Sequence, residues 1–222
     1  MRVAGYLSRW DFILGYCVGR RVLHLGCVGE TELSSEVKVE AFRSKRVLHP
    51  HLREVAREVV GVDLDAETIK LLHSKLGPGN LVIGDVEHLE DCAIDGKFDV
   101  ILCGDLIEHL ACPGLMLKGI RQFMTPQSSV IISTPNSFSL LANIRFSLGS
   151  YREGAEHVTV FSKLTLTHLL ERHGYQVREL YTCYHRPPQT GIARLKLKVG
   201  APFFHLLPER GGTLLLTASA TL

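Results

Sequence analysis

The sequence is short of several things, and each shortage closes off a class of function. No run reaches the ~18 uninterrupted apolar residues that a helix needs to cross a bilayer, so no membrane span is expected. The six cysteines (Cys17, Cys27, Cys92, Cys103, Cys112 and Cys183) include no Cys-x-x-Cys pair. Most lie in apolar runs, which reads as reduced core thiols of a cytoplasmic protein rather than a disulfide frame or a zinc site. Arg9 and Asp11 stand where a signal peptide would be apolar. Repeats and low-complexity tracts are absent. So is a large excess of one charge, since 25 Lys and Arg against 23 Asp and Glu leave a net +2.

What is present is the composition of an ordinary globular protein: 222 residues, 45% apolar and 22% charged. That length carries one α/β domain with a full core. The charge is unevenly spread. Residues 61–120 sum to −7, residues 121–222 to +6 and residues 1–60 to +3. The acidic middle argues against a nucleic-acid face there, while the basic last third leaves room for an anionic substrate.

Short apolar runs bounded by glycine alternate with helical patterns. The runs are Val22–Leu25, Val59–Asp63, Leu81–Ile83, Phe98–Cys103 and Ser129–Ser133, followed by Tyr175–Tyr184 and Leu214–Ala218. Strands apolar on both faces, with helices between them, predict a parallel sheet with right-handed crossovers. The last strand is expected to pair antiparallel. Helices are expected over residues 5–18, from about His51, over 66–76, 114–124 and 162–173. Polar residues 31–46 show weak periodicity, and part of that stretch is expected to be mobile. The expected architecture is α/β, Rossmann-like and seven-stranded, with helices on both faces. It is a single domain over 1–222, with insertions at about 31–48, 137–160 and 185–210.

Ligands of such sheets bind at the carboxyl ends of the strands. Four segments end there with chemistry to offer. Val22–Glu30 (VLHLGCVGE) runs into a glycine turn at Gly26, Cys27 and Val28. VVGVDLD ends on Asp63 and Leu64, and VIGDVEHL carries Asp85 and Val86. FDVILCGDLIEHL carries Gly104, Asp105, Glu108 and His109. A carboxylate at the end of the second strand is suited to a ribose diol. Asp63 lies 37 residues after Gly26, against ~20 in dinucleotide folds, and the polar stretch accounts for the excess. Spacing of i, i+3 and i+4 would place Asp105, Glu108 and His109 on one helical face.

These segments resemble the successive motifs of class I S-adenosylmethionine (SAM) methyltransferases. QFMTPQSSVIISTPN is similar to that family's fifth strand and EHVTVFSKLTLTHLLERHGYQV to its late histidine-plus-helix segment. The nearest subgroup is that of the ubiquinone-biosynthesis O-methyltransferases. The resemblance implies SAM as cofactor, held by Gly26, Cys27, Asp63, Leu64, Asp85, Val86 and Gly104. It also implies Arg9 on the SAM carboxylate, and methyl transfer to an oxygen of a small-molecule acceptor. In small-RNA 2′-O-methyltransferases a similar acidic-x-x-Glu-His run and a later histidine hold a divalent metal. By that resemblance Asp105, Glu108, His109 and His157 would hold Mn²⁺, Mg²⁺ or Zn²⁺, with the donor set favouring Zn²⁺ or Mn²⁺. Without a metal, His109, His157 and Glu108 are the catalytic candidates, imidazole being the side chain that changes charge near neutral pH.

The first motif departs from the family's form. His24 stands at its acidic position, Val28 at its second glycine and Glu30 at its third. The loss of Gly-x-Gly-x-x-Gly argues against a dinucleotide. It leaves two alternatives beside the small-molecule enzyme: a degenerate SAM-binding partner protein without activity, and a metal-dependent RNA 2′-O-methyltransferase. Oligomeric state is not legible.

Overall fold

The computed structural model describes residues 3, 5–29, 33–77, 79–150, 154, 156–184, 202 and 204–221. Its centre is one eight-stranded sheet: β1 (Tyr6–Ser8), β2 (Arg21–Leu25), β3 (Glu58–Asp63), β4 (Leu81–Ile83), β5 (Phe98–Gly104), β6 (Met124–Pro135), β7 (Tyr175–Tyr184) and β8 (Thr213–Ala220). The spatial order is β1-β7-β8-β6-β5-β2-β3-β4. All neighbours run parallel except β8, which pairs antiparallel with both β6 and β7.

The seven expected strands are all present, and the antiparallel last strand falls where the pattern puts it. The eighth strand corrects the count. Residues 5–8 were expected to open a helix. Instead Tyr6, Leu7 and Ser8 extend alongside Thr182, Cys183 and Tyr184 at the sheet edge. Helix α1 (Arg9–Cys17) begins only after Ser8, whose hydroxyl accepts from the Asp11 amide at the first turn. Because β1 runs parallel to β7, and so to the central strands, the turn from β1 into α1 delivers Arg9 to the carboxyl edge of the sheet.

Alternate strand residues feed two cores, as the period of two requires. Leu23, Leu25, Val62, Ile101, Cys103, Ile132 and Leu216 join the buried sides of α5 (Pro113–Gly119) and α7 (Lys163–Arg172). Val22, Val100, Leu102, Ile131 and Leu215 join Ile13 and Cys17 of α1 and Leu52 of α3 (Leu48–Val55). A capping box of Ser162 and Thr165 starts α7.

The polar stretch at 31–46 is more regular than its weak periodicity suggests. Its described part contains a helix, α2 (Ser35–Arg43), which packs on α4 (Ala66–Leu76). The buried apolar residues of α2 are Val39, Ala41 and Phe42. The dock is completed by an ion pair of the buried Lys38 with the half-buried Asp65, Nζ to Oδ2 at 2.6 Å. Asp65 also caps α4 through the Thr68 amide at 2.9 Å. Residues 137–160, an insertion without strong periodicity in the sequence, contain α6 (Leu140–Ser147), none of whose residues is buried. Of the third insertion, residues 185–201 and 203 lie outside the described residues, and with them Arg194, Lys196 and Lys198.

Candidate active site

Strand tips β2 to β6 meet along one edge, and three groups of side chains gather there. The first is built around the glycine turn. Gly26 adopts φ +67°, a left-handed conformation that glycine enters without strain. Its amide and that of Cys27 donate to the Val62 carbonyl at 2.9 and 3.3 Å, which fastens the turn to the tip of β3. Asp63 completes the fastening. Its Oδ2 accepts from the Val28 amide at 2.8 Å and its Oδ1 from the Asp65 amide at 3.1 Å. Burial pushes the Asp63 carboxyl above its ordinary pKa, against the pull of those two amides. The Asp63 carbonyl accepts from the Gly84 amide at 3.0 Å, so the exit of β4 and Asp85 lie alongside. Asp85 Oδ1 accepts from the Glu87 amide at 2.9 Å.

Side-chain direction separates the remaining residues of this group. Val28 is 1% exposed and packs with Val39, Phe42, Ile69 and Leu72, so its side chain turns towards α2 and α4. The Cys27 thiol points back at β3, where a Cβ added to Gly61 would lie 2.7 Å from it. Val86 is buried in the core, whereas Leu64 is exposed at the rim. Of Cys27 and Val86, then, only the backbone is available to a ligand at the edge.

The second group is an ion pair. Arg9 Nη1 donates to Asp105 Oδ2, and to Ser133 Oγ at 3.2 Å; Ser133 Oγ donates to Asp105 Oδ1 at 3.1 Å. Arg9 is buried, and its Nε has no hydrogen-bond partner among the described residues. Gly104 ends β5 directly before this cluster, with the Ser133 hydroxyl 3.6 Å from where its Cβ would be.

The third group is Glu108, His109 and His157. One donor atom of each lies within 4.8 Å of the others. Glu108 is 1% exposed and accepts from Thr134 Oγ1 at 2.9 Å. Burial, reinforced by the Asp105 charge, pushes its carboxyl up to about 8. The backbone amides of Val158 and Thr159 donate to the Glu108 carbonyl at 2.9 and 3.1 Å. Those bonds fold residues 157–159 back, so that the His157 ring meets the His109 ring edge-on, centroids 4.9 Å apart.

Asp105 is not in that group of three. The spacing argument assumed a helix through residues 105–109, but Asp105 adopts φ +49° and the turn after it is a 3-10 turn over Ile107–His109. The left-handed residue swings the carboxylate to Arg9 instead of to Glu108. Asp tolerates that conformation better than most residues. Behind the edge, His24 and His49 are both buried and stacked, Nδ1 to Nδ1 at 3.2 Å. Desolvation holds His24 well below its ordinary pKa and lowers His49 to about 4, so both rings are neutral near pH 7. Sequence reasoning gave the buried His49 no place in the interior. It also passed over Ser133 and Thr134, whose hydroxyls tie β6 to the two acidic clusters; STPN offered no signal beyond its place at a strand end.

A family model described as a methyltransferase domain matches residues 18–180, most of the sheet and every cluster above except Arg9. The chain belongs to that family. It is a class I SAM-dependent methyltransferase, and SAM is its cofactor. A ubiquinone biosynthesis O-methyltransferase of Xanthomonas euvesicatoria pv. vesicatoria (strain 85-10) is 25% identical over 179 residues, covering 76% of this chain and 68% of the relative. Among solved structures, a SAM-dependent methyltransferase from Archaeoglobus fulgidus aligns with a TM-score of 0.56 at 21% identity, covering 95% of this methyltransferase and 91% of that chain. The 1,6-didemethyltoxoflavin-N1-methyltransferase of Burkholderia thailandensis, solved with bound 1,6-didemethyltoxoflavin and S-adenosylhomocysteine, aligns at 0.55 with 16% identity over 96% and 77% of the two chains. Those identities establish shared architecture only. No helix among the described residues is long and apolar enough to cross a membrane.

Proposed function

We propose that the methyltransferase acts on an oxygen of a small-molecule acceptor, and that the acceptor hydroxyl is presented to Glu108, His109 and His157. The observation that carries this reading is the convergence of those three donor atoms within 4.8 Å at the same sheet edge as the glycine turn. SAM supplies an electrophilic methyl on a sulfonium. The protein's contribution is to hold the acceptor oxygen in line with it, an effect worth at most ~7–11 kcal/mol. His109 or His157 takes the hydroxyl proton. Phe138, Leu141 and Ile144, exposed on the segment after β6, offer an apolar surface to the body of the acceptor.

The edge fits SAM in three respects. Asp63 stands at the tip of β3 for the ribose diol, and Asp85 after β4 for the adenine amino group. Arg9 offers a buried donor, Nε, without an acceptor among the described residues, for the carboxylate. The Glu108, His109 and His157 set fits a divalent ion of the Zn²⁺ or Mn²⁺ type in donor chemistry. Such an ion, when bound, would lower the pKa of a coordinated hydroxyl. Six free thiols suit a reducing, cytoplasmic compartment.

The test is methyl transfer from labelled SAM to a panel of phenols and other hydroxylated small molecules, with Mn²⁺ or with EDTA. O-methylated product that is lost in His157→Ala supports the reading. Transfer only to nitrogen acceptors, or only to RNA 3′ ends with Mn²⁺, overturns it.

A further inference from the structure

The basic excess of residues 121–222, +6 by sequence, contributes no lysine or arginine to the three groups at the strand tips. Part of it gathers elsewhere. A cleft of about 670 Å³ opens between α5 and the last turn of α7, and Lys118, Arg121, Arg172 and His173 line it. The rest of the lining is Cys112, Leu115 and two glycines, Gly114 and Gly174, so no carboxylate lines the cleft. Two acids border it by contact or in the chain. Glu87 accepts from the Cys112 amide, and Glu171 is exposed beside Arg172; neither belongs to the lining.

We propose that this cleft is a second ligand site, built for the phosphate chain of a small oligophosphate, inorganic or nucleotide. Lys118 and Arg172 are exposed and form no ion pair or hydrogen bond among the described residues. Arg121 is set in place beforehand. Its Nη2 donates to the carbonyls of Gly174 and Thr221 at 3.0 and 2.8 Å, and its guanidinium lies 5.4 Å from the centroid of the Tyr175 ring. Its Nη1 has no partner among the described residues. His173 Nδ1 donates to the Leu169 carbonyl at 2.9 Å, which fixes the proton there and leaves Nε2 towards Gly114. The glycines supply the room. A Cβ on Gly114 would lie 2.4 Å from His173 Nε2, and one on Gly174 would lie 3.1 Å from Arg121 Nη1.

Like charges gathered on one cleft repel, and a ligand with several negative charges offsets them together. A phosphate chain is compact, and its oxygens match both the guanidinium fork and the ammonium. Lys118 and Arg172 also stand in the last turns of their own helices, where a cation complements the helix dipole. That role accounts for neither Arg121, pinned by carbonyls outside α5, nor the two glycines that keep the cleft open.

The inference is independent of the acceptor and of the cofactor site. Its test is calorimetric titration of tripolyphosphate, and separately of ATP, into the full chain without divalent metal at about 0.15 M salt. One saturable site per chain is expected, weakened about tenfold in Lys118→Ala and in Arg172→Ala, the low end for a hydrogen bond to a charged group. Arg43→Ala, which removes an exposed arginine of α2, is expected to change nothing. Gly114→Ala keeps every charge but drives a methyl group into the His173 ring, so it too is expected to weaken binding about tenfold. Tighter binding of ATP than of tripolyphosphate assigns a nucleotide, and equal or weaker binding of ATP assigns a free oligophosphate. The affinity for S-adenosylhomocysteine should stay at its wild-type value in Lys118→Ala and Arg172→Ala. No saturable binding up to about 1 mM overturns the proposal. So does equal weakening by Arg43→Ala, full affinity in folded Gly114→Ala, or loss of both probes when S-adenosylhomocysteine is present, which would put them in the cofactor crevice. Thermal unfolding shows which variants fold; should Gly114→Ala fail, the two surface variants decide alone.

Discussion

Val28 stands where the family's loop usually has glycine, and restoring the glycine should harm the protein. The Val28 side chain is 1% exposed and packs with Val39, Phe42, Ile69 and Leu72, while its amide donates to Asp63 at 2.8 Å. Val28→Gly keeps the amide and deletes the packing. Burying a valine side chain is worth ~1.5–3 kcal/mol, and the added backbone freedom of glycine costs a further ~0.5–1 kcal/mol. The expected loss is therefore about 2–4 kcal/mol. With a urea m-value of ~3 kcal/mol/M the unfolding midpoint should fall by about 0.7–1.3 M. Affinity for S-adenosylhomocysteine should change less than about threefold, because the Asp63 bond survives. An unchanged midpoint together with binding tightened about tenfold would refute the argument, since it would mean that the valine had been crowding the crevice.

Three more outcomes follow from the same geometry. His49 has a folded pKa lowered to about 4, so the unfolded chain binds its proton first. Stability should be intact above about pH 6.5 and fall towards pH 4 by up to ~3 kcal/mol; His49→Phe should flatten that decline in melting temperature if it folds. Glu108 behaves oppositely. Its carboxyl is raised to about 8, so stability is lost as pH climbs from the ordinary carboxyl range through 8. In metal-free protein, Glu108→Gln should raise the melting temperature more at pH 8 than at pH 5, and an equal rise at both would contradict the shift. Gly26→Ala places a Cβ 3.1 Å from Leu106 at φ +67°. A loss of ~1–2 kcal/mol from the left-handed conformation is expected in urea melts, with weaker S-adenosylhomocysteine binding.

The centre of the sheet was legible because β2 to β5 are short apolar runs that end in or lead directly into glycine or aspartate, a local signal needing no partner. Helix α4 was legible to its exact ends, since Asp65 caps it and Gly77 stops it. Strand β1 was not, because three residues carry no period and their partners lie 176 residues away in β7. Helix α2 hid because its dock depends on a charge, Lys38, that is buried only once Asp65 is opposite it. At the site, strand-end residues such as Asp63 and Asp85 fell into place with the strands. Asp105 did not, since one left-handed φ undoes an argument from helical spacing. The His24–His49 pair was beyond reach for a similar reason: nothing within either segment says that two rings 25 residues apart will stack in the interior.

On the proposed reading, the tips of β2, β3 and β4 converge on an adenosyl ligand despite the irregular glycine turn. Calorimetric titration of S-adenosylhomocysteine into the wild-type protein and into Asp63→Asn and Asp85→Ala variants tests it most directly. One saturable site, weakened about tenfold or more in each folded variant, is the expected result. Unchanged affinity in both variants would place the cofactor elsewhere and contradict the account.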